Sequence, residues 1–107
     1  TELTDAVLCK AVQEMAAGLI DADLGGSVVK KRVGLAGRGK RGGVRTLVAT
    51  NKGNRWFFVF GFEKNELANV SDEELEGLQT IAADLLARTA TQLDEAVADG
   101  ALQEICQ

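Results

Sequence analysis

Residues 44–62, VRTLVATNKGNRWFFVFGF, decide the fold predicted for this chain. Residues 44–50 are rich in β-branched side chains and predict a strand. The NKGN segment at residues 51–54 is typical of a hairpin turn. The run at residues 55–62 is apolar at almost every position, as in a central strand that is covered on both faces. The stretch therefore predicts an antiparallel hairpin.

A third strand is predicted just ahead of this hairpin. The run VVKKRV at residues 28–33 is short and rich in β-branched residues. Because side chains alternate along a strand, we expect Lys30 and Arg32 on one face of the sheet and Lys31 on the other. Three strands in a row with short connections predict an antiparallel meander.

Helical patterns lie on both sides of these strands. Apolar residues recur at helical spacing over residues 3–18, and DADLGG at residues 21–26 is typical of a turn. These patterns predict one amphipathic helix before the strands.

The last third of the chain predicts two more helices. Ser71 with Glu74 fits the capping box that begins a helix. Thr91 with Asp94 is expected to cap a second helix, and Gly100 suits the end of that helix.

The fold class predicted from these elements is α+β: a small antiparallel β-sheet flanked by helices, in the order α-β-β-β-α-α. ALQEIC at residues 101–106 is expected to return as a C-terminal edge strand. A length of 107 residues fits a single domain, 1–107. No apolar run approaches the ~20 residues that a membrane span needs.

The chain has no histidine and two cysteines, Cys9 and Cys106. Their wide separation and the lack of a C-x-x-C pattern predict two reduced thiols and no metal site. The absence of histidine also removes the commonest general base.

Cationic residues concentrate in the middle of the chain. Residues 30–64 hold ten Lys/Arg and one acid, a net charge of +9, whereas residues 1–29 carry −4 and residues 65–107 carry −9. This distribution predicts a polyanionic partner in spite of the overall charge of −4. The alternative is that the opposite charges neutralise each other within the fold.

The cationic middle contains GLAGRGKRGG at residues 34–43, which nearly matches the phosphate-binding loop pattern G-x-x-x-x-G-K-[ST]. Arg41 stands where that pattern needs a hydroxyl for Mg²⁺, and the following residues predict a strand where the pattern needs a helix. A nucleotide cofactor is therefore not expected. Two interpretations stay open: a phosphate cradle of exposed N–H groups and cationic side chains, or a solvated hairpin loop.

Four segments of the chain form a combination that is typical of one protein family. They are DADLGGSVVKKRV at 21–33, GRGKRGGVRTLVA at 37–49, FFVFGFEKNELANVSDEELEGL at 57–78 and DGALQEI at 99–105. Together they resemble the RelE/HigB-type toxins of bacterial type II toxin–antitoxin systems, in the branch with GKSGGYR and GFAKNERDNIS segments. The chain differs from that branch at Arg41, where serine is usual, and at Val44, where tyrosine is usual.

The resemblance implies a compact α+β fold with a curved antiparallel sheet and, as in many relatives, ribosome-dependent cleavage of mRNA. It implies a cytoplasmic protein that needs no cofactor. Its partners would be mRNA, the ribosome and a cognate antitoxin, which we expect to be a helix-turn-helix protein. Relatives usually have a strand and a helix ahead of the segment that begins here at Thr1, so we expect natural N-terminal residues to be missing.

RNA can be cleaved without a metal ion when the 2′-hydroxyl attacks the adjacent phosphorus, assisted by a base, an acid and positive charge at the phosphate. By resemblance, Arg45 would hold the scissile phosphate and Lys64 would act as acid or base. The other cations predicted to contact RNA phosphates are Arg38, Lys40, Arg41, Arg55, Lys30 and Arg32.

Other interpretations stay open at this point. Arg45 could pair with a helix carboxylate, and Lys64 with its acidic neighbours in an exposed ion pair. The function could also be that of a ParE-like toxin that inhibits DNA gyrase without catalysis. A degenerate toxin that retains only antitoxin binding is the third alternative.

Overall fold

The structure is a computed structural model that describes residues 3–35, 39–63 and 70–106, with the backbone alone for residues 35 and 39–42. The elements in chain order are α1 (Asp5–Ala16), β1 (Ala22–Gly25), β2 (Val28–Leu35), β3 (Gly39–Thr50), β4 (Trp56–Glu63), α2 (Asp72–Ala87) and α3 (Ala90–Ala98). The predicted α+β class is confirmed. None of the helices in the described part of the chain has the length and apolar character to cross a membrane.

One antiparallel sheet contains all four strands in the order β1-β2-β3-β4. The turn predicted at residues 21–26 is wrong in part, because Ala22 and Asp23 pair with β2 and form the edge strand β1. The prediction of a central strand at residues 55–62 is also wrong, since β4 is the other edge. Its apolar side chains pack against the hydrophobic clusters on both faces of the sheet, with Phe57 and Val59 against one cluster and Trp56 and Phe58 against the other.

The sheet carries a hydrophobic core on each face. On the face that we call the α2 face, the sheet packs against α2; on the α1 face, it packs against α1. The buried residues of the α2-face core are Val28, Leu47, Ala49, Phe62 and Ala82, and those of the α1-face core are Met15, Val29 and Val48. Val28 and Val29 belong to different cores, as the alternation of a strand requires.

Side-chain caps begin the two C-terminal helices. Ser71 and Glu74 form the predicted capping box, with the Glu74 N–H donating to the Ser71 hydroxyl at 3.1 Å and the Ser71 N–H donating to the Glu74 carboxylate at 3.0 Å. For α3 the predicted cap at residues 91–94 is wrong, because the box is made one half-turn earlier by Thr89 and Gln92. Both caps supply partners for N–H groups that the helix itself leaves unbonded.

The glycine-rich stretch is mostly strand. β2 continues to Leu35 and β3 begins at Gly39, so the connection at residues 36–38 lies outside the described residues. The expected strand after the stretch is confirmed. Gly43 permits a close approach of the two strands, since a Cβ there would lie 2.2 Å from the carbonyl oxygen of Val33.

The C-terminal segment folds back onto α1. Cys9 and Cys106 form a disulfide bond with their Cα atoms 5.4 Å apart, so the prediction of two reduced thiols is wrong. The predicted C-terminal edge strand is also wrong. The N–H groups of Ala101 and Leu102 donate to the carbonyl of Ala96 in α3, and residues 101–106 form no strand.

A buried ion pair lies on the α1 face. The side chain of Lys31 is 3% exposed, and its Nζ lies 2.9 Å from a carboxylate oxygen of Glu14. The same Nζ donates to the carbonyl of Leu19 at 3.0 Å. The predicted separation of Lys31 from Lys30 and Arg32 is therefore confirmed.

Removing this buried ammonium should destabilise the fold. We expect Lys31→Ala to lower the free energy of unfolding by about 3 kcal/mol, because it breaks an ion pair whose ammonium is buried. Urea denaturation followed by circular dichroism measures the loss. Lys52→Ala is the matched control, since Lys52 forms an exposed pair with Asp23 and should lose less than about 1 kcal/mol. Equal losses in the two variants would contradict a special role for the buried pair.

Candidate functional site

Three cationic side chains lie on the α2 face of the inner strands, and we call Lys30, Arg32 and Arg45 the cationic cluster. Arg32 of β2 pairs directly with Arg45 of β3. Lys30 pairs with Leu47, two residues further along each strand. Leu47 is part of the α2-face core, so alternation places Lys30, Arg32 and Arg45 on that same face. All three are partly exposed.

The cluster concentrates positive charge that the described protein does not neutralise. Residues directly opposite on antiparallel strands have Cβ atoms about 4.5–5.5 Å apart, and like charges at such positions are unfavourable. Asp21 accepts a hydrogen bond from the backbone N–H of Arg32, not from its guanidinium. The ion pairs among the described residues are Lys31–Glu14, Lys52–Asp23 and Arg88–Asp84, and none involves the cluster. The cluster is therefore a candidate binding site for an external anion.

Two aromatic rings adjoin the cluster on β4. Phe62 pairs with Arg45, Phe60 pairs with Leu47, and the two ring centroids are 5.7 Å apart. Phe62 is 5% exposed, whereas Phe60 is 38% exposed. The cationic cluster thus has an accessible aromatic ring beside it.

A β-bulge brings these rings to the α2 face. The pairing steps from Val48↔Phe58 to Leu47↔Phe60, so Val59 is an extra residue in β4. Without it, strict alternation would put Phe60 and Phe62 on the α1 face with Phe58. Sequence reasoning missed Phe60 for this reason, because no local pattern in an almost wholly apolar run marks a bulge.

Arg55 lies outside the cationic cluster, at the end of α2. Its guanidinium donates to the carbonyls of Leu86 and Arg88 at the C-terminal end of α2, with the Leu86 contact at 3.3 Å. It thereby binds carbonyls that the helix leaves unbonded. Pairing of Thr50 with Trp56 puts this end of the hairpin about 17 Å along β3 from Arg45. The structure does not bring Arg55 into the cluster, and its contact with RNA stays a prediction.

Four of the predicted site residues have no described side chain. Lys64 and Arg38 lie outside the described residues, and Lys40 and Arg41 are described by their backbone in β3 alone. Their roles stay predictions. Glu63, which precedes Lys64 in the sequence, pairs with Val44, the neighbour of Arg45.

Shifted pKa values in the described chain mark structural contacts outside the cluster. Hydrogen bonding from the Lys52 ammonium, and then from the Gly25 N–H, lowers the pKa of Asp23. Hydrogen bonds from the backbone and side chain of Ser71 lower the pKa of Glu74. These carboxylates support the β1–β2 region and the α2 cap.

The groove between α2 and α3 does not suit a polyanion. A groove of about 560 Å³ between α2 and α3 is lined by three carboxylates and one guanidinium, from Asp84, Glu95, Asp99 and Arg88. Among residues 3–35, 39–63 and 70–106, no group of three or more Cys, Asp or Glu side chains is placed to hold a metal ion. The cationic cluster is accordingly the candidate site.

The fold and the cluster define a class of protein: a small α+β domain with arginines on its antiparallel sheet that form no ion pair with the described carboxylates. Residues 1–105 match the family described as RelE toxin of RelE / RelB toxin-antitoxin system. The chain therefore belongs to the RelE toxin family, and it is the toxin component of a toxin–antitoxin module with a cognate antitoxin as partner. No curated protein and no solved structure matches the chain significantly.

Proposed function

We propose that this toxin is a ribosome-dependent mRNA endoribonuclease of the cytoplasm that cleaves RNA with lysine and arginine side chains and no metal ion. The observation that carries the proposal is the direct pairing of Arg32 with Arg45, without a carboxylate partner among the described residues. RelE toxins are generally endoribonucleases that cleave mRNA, which gives this pair of arginines a natural substrate.

The chemistry proceeds within the RNA strand. The 2′-oxygen forms a bond to the adjacent phosphorus while the bond from phosphorus to the 5′-oxygen breaks. A base takes the proton of the 2′-hydroxyl, and an acid gives a proton to the leaving 5′-oxygen. The products are a 2′,3′-cyclic phosphate and a free 5′-hydroxyl end.

Arg45 is the residue that would stabilise the phosphorane. Negative charge grows on the non-bridging oxygens as the 2′-oxygen attacks, and a guanidinium can donate to two of these oxygens at once. Arg32, directly opposite, adds a second charge at the same place. Because the phosphorane carries more negative charge than the substrate phosphate, two cations at this place would stabilise the transition state more than the bound substrate.

The remaining roles belong to lysines and to the glycine-rich stretch. Lys64 would be the acid, or the base if other cations lower the pKa of its ammonium. Lys30 would contact an adjoining phosphate, as would the cations of the stretch, Arg38, Lys40 and Arg41. Arg55 would contact RNA further along the hairpin, while it also holds the end of α2.

The chain departs from the related toxins at Val44 and Arg41, and the two changes have different consequences for the site. Val44 stands where a tyrosine is usual, and its position next to Arg45 puts it on the α1 face. Its side chain therefore lies on the opposite side of the sheet from the cluster. The change to Arg41 replaces a hydroxyl with a further cation, which suits phosphate binding.

Expression in bacteria with and without the neighbouring antitoxin gene tests the proposal, with mRNA 5′ ends mapped in both cultures. We expect growth arrest and new 5′-hydroxyl ends within translated regions when the toxin is expressed alone, and neither when the antitoxin is present. Arrest with a DNA-damage response and no new ends would favour a gyrase inhibitor. Absence of arrest would favour a degenerate toxin that retains only antitoxin binding.

A further inference from the structure

We propose that Phe60 is a base-stacking residue: its exposed ring binds a base of single-stranded RNA whose phosphates contact the cationic cluster. The inference rests on the proposed function and adds what the site recognises besides phosphate. Three observations support it, namely the exposure of the ring, the bulge that orients it and the charge around it.

Phe60 differs from the other aromatic residues of β4 in its exposure. Trp56 and Phe58 pack against the α1-face core, and Phe57 packs against the α2-face core. Phe60 is 38% exposed although it lies on the side of the sheet that contains the larger core. It contacts Phe62, whose ring is 5% exposed and tilted by 40° to it. Phe60 thus packs against a buried ring and still exposes more than a third of its surface.

The bulge at Val59 is what puts this ring beside the arginines. Bulges re-aim side chains and are common next to functional sites. Here the extra residue brings Phe60 opposite Leu47, which lies two residues, or about 7 Å along the strand, from the Arg32–Arg45 pair. A nucleotide spans such a distance between its phosphate and its base.

The positive charge around Phe60 indicates which ligand its ring would bind. An exposed aromatic ring beside unneutralised arginines is the combination by which proteins bind single strands, since the arginines hold the backbone and the ring stacks on a base. A base inside a duplex has no open face, so the site requires single-stranded RNA. Aromatic residues and arginines also recur in protein interfaces, which makes docking of the antitoxin on Phe60 the alternative occupant.

Binding of a fluorescent 2′-O-methyl RNA 12-mer to the purified toxin tests the inference, because this oligomer cannot be cleaved. We expect Phe60→Ala and Phe60→Leu to weaken binding roughly 5- to 150-fold, which corresponds to the ~1–3 kcal/mol of one stacked base. Phe60→Trp should bind at least as tightly as the wild type. Ile81→Ala, which removes an exposed apolar side chain on α2, should bind like the wild type.

An oligomer with abasic sites distinguishes stacking from simple apolar contact. The wild type should bind the abasic oligomer more weakly than the intact oligomer. Phe60→Ala should bind the abasic oligomer at least as tightly as the intact one. Wild-type toxin that binds neither oligomer, or Phe60→Leu that binds as the wild type does, would overturn the inference. A Phe60→Ala variant that keeps its RNA affinity but no longer co-purifies with the antitoxin would also overturn the inference.

This experiment separates the inference from the proposed function. Base-dependent binding through Phe60 without mRNA cleavage would refute the nuclease and leave the stacking site in place. Cleavage by the wild type with unaltered binding in Phe60→Leu would refute the stacking site and leave the nuclease in place.

Discussion

Arg45→Ala is expected to reduce mRNA cleavage by about 100- to 1000-fold, the usual effect of removing one donor that stabilises charge in a transition state. The same substitution should not destabilise the protein. Arg45 is opposite Arg32 and has no carboxylate partner among the described residues, so its removal relieves a like-charge contact. Cleavage rates and the melting temperature, measured on one preparation, report both effects.

Two further variants test whether the loss of cleavage depends on the guanidinium of Arg45. Arg45→Lys keeps the charge but loses the two-pronged donor, so we expect it to recover only part of the activity. Arg88→Ala removes an arginine that pairs with Asp84 on the surface, and its cleavage rate should equal that of the wild type. An Arg45→Ala variant that cleaves as fast as Arg88→Ala would remove Arg45 from the mechanism.

Reduction of the Cys9–Cys106 disulfide is expected to cause the largest loss of stability. The bond joins residues 97 positions apart, and closing a loop of about 100 residues restricts the unfolded chain by about 4.7 kcal/mol at 25 °C in the chain-entropy model. Measured losses on removing native disulfides are about 2–5 kcal/mol. Urea denaturation of the wild type with and without a reductant measures the difference.

The double variant Cys9→Ser with Cys106→Ser is the control for this experiment. It should have the stability of the reduced wild type and should not respond to the reductant. A wild type whose two thiols are shown to be reduced, yet whose midpoint of unfolding is unchanged, would contradict a stabilising role for the bond. In a reducing compartment the relevant stability is that of the reduced form.

Local patterns in the sequence predicted much of this fold correctly. The capping box of Ser71 and Glu74 is made within four residues, so the sequence contains all of it. The alternation that separates Lys31 from Lys30 and Arg32 follows from backbone geometry alone.

The features that sequence reasoning missed depend on contacts between distant residues. The disulfide requires the C-terminal segment to return to α1, and nothing near Cys9 or Cys106 encodes that path. The bulge at Val59 arises from the pairing with β3, and the place of β4 at the end of the sheet follows from strand order. An apolar run indicates that both faces are covered, but it carries no information about its neighbours in the sheet.

The dense positive charge of the middle segment also serves more than one purpose. Lys31 pairs with the partly buried Glu14, Lys52 pairs with Asp23, and Arg55 binds the end of α2. These cations fit the alternative that charges are balanced within the fold. What remains on the α2 face is the smaller set of Lys30, Arg32 and Arg45, and only these carry the functional argument among the described side chains.

The most direct test of the nuclease hypothesis is a purified translation system with a defined mRNA, in which 5′ ends are mapped after addition of the toxin. We predict new 5′-hydroxyl ends with wild-type toxin when ribosomes are translating the message. We predict none when ribosomes are omitted, and a loss of at least about 100-fold with Arg45→Ala. An intact mRNA in the presence of folded wild-type toxin and translating ribosomes would contradict the proposed function.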